Sequence, residues 1–392
     1  MIVPSEARSS RLRALPAYLF EELVRLRHAT EARGIDVVDL SIGDPDLGAP
    51  PQAVEALRKY AGDPRLHCYT PQWVIERFNE AAAAWMKRRF GVELDPAGEV
   101  FPVIGTKEGL AHLPLAVLDP GETALVPDPG YPVYSRGVCF AGGKVEWIRL
   151  RENHGFLPDL GALEGKTAKL VFVNYPNNPT SAVATPSFYR GLVEWAMGAG
   201  TYIASDAAYS EIAFDGYASP SILAAPGARD VAVEFHSFSK TFNMAGWRVG
   251  FVAGQADLIS SLRTLKSNLD SNVFGPVLMA SIAALEGGWP SLASTLEEYG
   301  VRRALICRGL EACGIGCHVS PATLYIWARV PGSMKSMEFA KVLLEKAGIL
   351  VAPGVGFGEG GEGYFRISIT CPTSRVKVAG ERFQEVAKLW SE

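Results

Sequence analysis

The chain has 392 residues, 48% of them hydrophobic and 20% charged, with a formal net charge of −4. Its length and apolar content suffice for one large core and a smaller one. A near-balanced charge without runs of one sign argues against a nucleic-acid binder or a membrane-surface protein, and no apolar stretch reaches the roughly 20 residues that span a bilayer. The opening MIVPSEARSSRLRALP lacks the continuous apolar run of a signal peptide, so a cytoplasmic protein is expected.

In chain order, residues 17–33 carry apolar positions at helical spacing (Leu19, Phe20, Leu23, Val24, Leu26) and stop at Gly34, which predicts a helix. Val37–Ile42, closed by Gly43-Asp44-Pro45, reads as a strand entering a turn. From about residue 99 to 254, short apolar runs recur at Phe101–Ile104, Ala124–Val126, Leu170–Val173, Tyr202–Ala204, Val231–Phe235 and Arg248–Ala253. Helical or loop segments separate them, a rhythm that predicts a mostly parallel sheet with helices on both faces. After about residue 280 the pattern changes to a long helix near 290–312, a strand at Leu324–Val330, a helix at Met337–Ala347, a strand at Tyr364–Thr370 and a helix at Val376–Trp390. The expectation is an α/β protein with a large domain over 46–285. Residues 1–45 and 286–392 would form a smaller α+β domain, with a ligand in the crevice between the two.

The six cysteines are scattered and form no disulfide framework. Cys313, Cys317 and His318 lie close in sequence but lack the second ligand pair of a structural zinc site, so no metal is expected. Pro353-Gly354-Val355-Gly356-Phe357-Gly358 is glycine-rich after a strand. Further glycines and a strand follow it instead of a helix, so a dinucleotide fingerprint fails and a mobile loop is expected.

Several short motifs carry chemistry. Lys240, in HSFSKTFNMAGWRVG, sits just after a strand. A surface lysine is the ordinary reading, but a lysine held away from water loses its proton more readily and can attack an aldehyde. Ser237 and Arg248 near it suit a phosphate. At Gly105-Thr106-Lys107, a strand leads into a helix whose free N–H groups favour the same ligand. Asn178, in NYPNNPT, could be only an Asn-Pro turn, and Asp206, in ASDAAY, only a helix cap. A carboxylate can also keep a pyridine nitrogen protonated, so that the ring accepts electrons. Arg366 lies mid-strand in apolar surroundings, where an inward arginine can grip a carboxylate through two parallel bonds.

Taken together, S-x-S-K with R-x-G beyond it, N-P-T and D-x-x-Y resemble the fold type I, class I/II aminotransferases that depend on pyridoxal 5′-phosphate (PLP). The resemblance implies that catalytic Lys240 binds the cofactor covalently and moves the proton at the substrate α-carbon. It gives Thr106, Lys107, Ser237 and Arg248 the phosphate, Asp206 the ring nitrogen, and Asn178 with Tyr209 the ring hydroxyl oxygen. Tyr131 would stack on the ring. Arg366 would hold the substrate carboxylate, with Gly43 closing over it. Tyr69 would reach the phosphate of a neighbouring subunit, which implies a homodimer.

Over nearly its whole length the chain is similar to LL-diaminopimelate aminotransferases. The similarity is carried by PAYLF at 16–20, IGDPD at 42–46, KRRFGV at 87–92, YSEIAFDGY at 209–217 and NLDSN at 268–272. That implies amino exchange between LL-diaminopimelate and 2-oxoglutarate, in lysine synthesis, with Tyr18, Lys107, Asn178 and Asn268–Asn272 near the substrate. One stretch departs: Gln72-Trp73 stands where the family carries a glutamate for the distal ammonium, and Val74 replaces a glycine. Trp73 is expected to shrink or reshape that part of the pocket, which leaves open an aromatic or other amino acid as substrate. A PLP-dependent carbon–sulfur lyase is a further alternative.

Overall fold

The computed structural model describes residues 8–15 and 19–386. A seven-stranded sheet has the spatial order Val100–Val103, Gly250–Gly254, Ala232–Ser237, Tyr202–Asp206, Leu170–Asn174, Thr123–Asp128, Lys144–Arg149. Gly250–Gly254 alone runs antiparallel to its two neighbours, and the pairs from Ala232–Ser237 outward are parallel. Alternate residues of one strand enter different cores. Val171 and Val173 pack with Phe78, Trp85 and Leu192, while Leu170 and Phe172 pack with Leu110, Leu113 and Leu262. Burial on both faces is why these strands read as unbroken apolar runs. The edge strand Lys144–Arg149 was not among the expected strands. Its sequence KVEWIR alternates, and most of it stays partly exposed.

A four-stranded antiparallel sheet orders Ala352–Pro353, Tyr364–Ser368, Tyr325–Arg329 and Cys317–His318. Its core joins Val38 and Leu40 to Tyr299, Ile306, Phe339, Phe365 and Phe383. The long Trp289–Ala312 helix carries a buried Arg302. Arg302 pairs with Asp46 at 2.7 Å and donates to the Ile369 carbonyl, fastening the turn that follows the first strand. A buried guanidinium is tolerated only with such partners.

That first strand is shorter than expected. Only Val38–Asp39 forms a ladder, parallel to Ile349–Leu350. The next carbonyls are bound elsewhere: Ser41 by Arg366, Ile42 by Thr370 and Gly43 by Lys240. The glycine-rich segment folds into two single turns, Gly354–Phe357 and Glu359–Gly361. Gly354 and Gly361 lie backbone against backbone with no space for a side chain, and the Gly360 N–H donates to Asp128. These glycines serve close packing.

Candidate active site

The strands Leu170–Asn174, Tyr202–Asp206 and Ala232–Ser237 end on one side of the large sheet, where open α/β sheets hold ligands. A cavity of about 470 Å³ opens there. Lys240 follows the last of these strands in the short turn Phe238–Thr241. Its Nζ donates to the Gly43 carbonyl at 2.6 Å. Burial holds its pKa below the usual lysine range. Tyr325 and Asp44 oppose that shift, and Arg366 and Arg248 reinforce it.

Asp206 lies across the cavity. Burial raises its pKa to about 6, against the lowering effect of hydrogen bonds from Tyr134 and Ala208. The Tyr134 hydroxyl donates to Oδ2 at 2.7 Å and the Ala208 N–H to Oδ1 at 3.1 Å. Asp206 makes no ion pair among the described residues. A buried carboxylate without a cationic partner favours a ligand that brings one.

Asn174 builds the neighbouring strand end. Its amide donates to the Asp206 carbonyl at 2.8 Å and accepts the Asn178 N–H at 2.7 Å. Asn178 Oδ1 in turn accepts from Arg366 at 2.7 Å. A guanidinium only donates, so this contact fixes which end of the Asn178 amide is oxygen and leaves its amino group to donate elsewhere. Ser181 has a left-handed backbone (φ 61°), and its hydroxyl donates to the Tyr325 carbonyl at 2.8 Å. That bond offsets part of the strain of a non-glycine residue there.

A polar cup closes the other end. Gly105 has φ 76° and precedes the Thr106–Val117 helix, whose first-turn N–H groups have no partners within the helix. Arg248, itself left-handed at φ 57°, lays its guanidinium where a Gly105 side chain would stand. Thr106, Lys107, Ser237 and Ser239 line the same wall. Tyr131 lines the cavity and packs edge-on against Tyr134 at 5.8 Å.

Arg366 also donates to the Ser41 carbonyl at 2.6 Å. Tyr325 completes this side, with its hydroxyl 3.0 Å from that of Tyr209. Gly43 passes so close that an added methyl would overlap the Tyr325 hydroxyl. Gly43→Ala is therefore expected to displace the ring or the turn and to cost about 1–3 kcal/mol of stability. A lowered midpoint of thermal unfolding checks this; an unchanged midpoint refutes it.

Tyr69, expected at the neighbouring subunit's phosphate, and Asn268–Asn272, expected near the substrate, do not line the cavity of their own chain. Tyr69 is 84% exposed and lines a separate cleft of about 710 Å³ with Gln72, Ser271 and Asn272. Asn268 is exposed and donates back to its own helix at Thr264. Trp73, expected to reshape the distal part of the pocket, does not line the Lys240 cavity of its own chain. It lines a recess with Lys59, Arg65 and Arg77, because the helix Gln72–Phe90 turns Val74 and Phe78 into the core and Trp73 away from it. Tyr18 lies outside the described residues. Sequence reasoning missed Tyr134, Tyr325 and Ser239. Only Ser239 had a signal, as the second serine of S-x-S-K.

The sequence model for "Aminotransferase class I and II" matches residues 35–383. The LL-diaminopimelate aminotransferase of Desulforudis audaxviator is 49% identical over 379 residues, covering 96% of this chain and 97% of its own. The enzyme of the same name from Aquifex aeolicus is 47% identical, with 96% and 98% coverage. Among solved structures, apo-BacF from Bacillus subtilis superposes with a TM-score of 0.91 at 35% identity, covering 97% of this chain and 98% of that one.

Proposed function

Because this chain belongs to the class I and II aminotransferases, PLP-dependent enzymes of fold type I, we propose that its Lys240 cavity exchanges the amino group of LL-diaminopimelate with 2-oxoglutarate. Transfer of an amino group between an amino acid and a 2-oxo acid is the activity of the family. The carrying observation is a desolvated lysine and, on the same cavity, a buried carboxylate that makes no ion pair among the described residues.

These residues fit PLP. The unpaired Asp206 suits a pyridinium N–H, and the cup made by Gly105 and Arg248 suits a phosphate. When bound, PLP supplies an electrophilic aldehyde and a ring that draws electrons from the substrate α-carbon. In this reading Thr106, Lys107, Ser237 and Arg248 hold the phosphate, Tyr131 covers the ring, and Asn178 and Tyr209 donate to its hydroxyl oxygen. Arg366 receives the α-carboxylate, with Gly43 over it and Lys107 and Asn178 alongside. Lys240 would hold the cofactor's aldehyde carbon and would serve as the base that carries the proton at the substrate α-carbon. Its lowered pKa makes the neutral amine available for both tasks.

The large domain is assigned to 46–285 and the small one to 1–45 with 286–392. The apolar core beneath the antiparallel sheet, drawn mostly from residues 38–40 and 292–383 and joined by Ala208, Tyr209, Ile212 and Phe214, supports this division. A homodimer is assigned as well: Tyr69, Trp73, Leu269 and Phe274 are large apolar side chains left exposed near the 710 Å³ cleft or in the segments that line it. The assigned setting is cytoplasmic lysine synthesis. No helix among the described residues is long and apolar enough to cross a membrane.

A donor panel tests the substrate. LL-diaminopimelate is expected to support glutamate formation from 2-oxoglutarate, and its failure where phenylalanine or methionine succeeds would overturn the assignment. Pyruvate and ammonia from cystathionine would instead indicate a lyase. Repeating the panel with Trp73→Glu checks whether Trp73, which lies outside the Lys240 cavity of its own chain, bears on the distal end; Val74 is fully buried, and Val74→Gly would open the core.

A further inference from the structure

Tyr325 meets Arg366, Tyr209, Ser181 and Gly43 around the site. The Arg366 guanidinium lies between two aromatic faces, 4.1 Å from the ring centre of Tyr325 and 4.6 Å from that of Phe357. The Tyr325 hydroxyl is 3.0 Å from the Tyr209 hydroxyl, with the rings edge-on at 71°. Its carbonyl is held by Ser181, three residues after Asn178, and Gly43 leaves no space above its hydroxyl. The ring is therefore fixed from the Asn-Pro turn, the Gly43 turn and its own strand.

Resting on the site reading above, we infer that Tyr325 is a positioning residue with two separable parts: its ring face sets Arg366 for the substrate carboxylate, and its hydroxyl sets Tyr209 for the cofactor oxygen.

The two parts follow from different physics. A cation between two aromatic faces, screened from water, is held in plane by the ring quadrupoles. Arg366 has bonds at Asn178 and Ser41 along its edge, and the faces stop it from tilting between them. The hydroxyl works through proton count. One proton lies between the two tyrosine oxygens. If Tyr209 gives its own proton to the cofactor's ring oxygen, only Tyr325 can donate across the 3.0 Å contact. A hydroxyl that accepts a hydrogen bond donates a stronger one. Loss of the Tyr325 hydroxyl thus weakens the support Tyr209 gives an anionic ring oxygen, and the pH midpoint of the holoenzyme's visible absorbance moves up.

The test compares the holoenzymes of Tyr325→Phe, Tyr325→Leu and Phe357→Leu, with Lys240→Ala as control. Tyr325→Phe is expected to raise the absorbance midpoint by about 0.5–1 pH unit and to lower kcat about tenfold, with KM for the amino donor unchanged. Tyr325→Leu is expected to add a rise in KM of about tenfold. Phe357→Leu should raise KM and leave the midpoint in place. A native midpoint and kcat in Tyr325→Phe would overturn the hydroxyl part, and a native KM in Tyr325→Leu the ring part. Loss of activity that only tracks a lowered melting temperature in all three variants would overturn both. The site reading fails separately, if Lys240→Ala still transaminates. An inactive Lys240→Ala beside a wild-type Tyr325→Phe rejects this inference alone.

Discussion

Lys240→Ala is expected to lower the transamination rate by at least about 10⁴-fold and to remove the visible absorbance of the bound cofactor. The side chain has two duties in the proposed chemistry, and alanine can perform neither. Unfolding does not account for such a loss. The amine is desolvated and donates to the Gly43 carbonyl, so a methyl there removes a desolvated amine at the expense of that bond. The variant should melt near the temperature of the parent. Retained turnover or retained absorbance would reject the assignment of this lysine.

Arg366→Ala should be the second largest loss. Truncating a buried, hydrogen-bonded cation that meets a carboxylate costs about 2–5 kcal/mol, or roughly 30- to 4,000-fold in kcat/KM. The loss should be similar for every donor with an α-carboxylate, since the distal part of the substrate is not involved. The variant also strips a donor from Asn178 and from the Ser41 carbonyl and leaves two rings facing a gap. Arg366→Lys should recover little, because an ammonium cannot reproduce a flat fork held between two faces. Cofactor absorbance should survive in both. Steady-state kinetics on alanine-like and long donors would check this, and an unchanged KM would place the carboxylate anchor elsewhere.

Sequence reasoning reached those parts of the site that follow directly from a strand. Asp206 and Ser237 are the last residues of buried strands, and Asn178 follows one by four positions. The unbroken apolar runs before them announce where the chain surfaces at the sheet edge. The same logic missed Lys144–Arg149, whose half-exposed edge position leaves an alternating pattern instead. Tyr134 and Tyr325 were illegible for a different reason. Their partners Asp206 and Tyr209 lie 72 and 116 residues away, and nothing local distinguishes a tyrosine that will meet them. The fate of Trp73 was illegible too: one step along a helix turns a side chain by about 100°, enough to separate Val74 in the core from Trp73 outside it.

The turn at 41–43 has a consequence for how such a chain can drift over generations. Arg366, Thr370 and Lys240 all grip it by carbonyl oxygens, which every amino acid carries alike. Substitution at the exposed Ile42 alters what projects from the turn and leaves intact what it offers to those three side chains, whereas Ser41 is buried and its hydroxyl donates to Asp39. Only Gly43 is held to one residue type, and by want of room beside Tyr325, not by the bond it makes. Ile42 is thereby freed to vary while the contact made by its carbonyl is inherited unchanged.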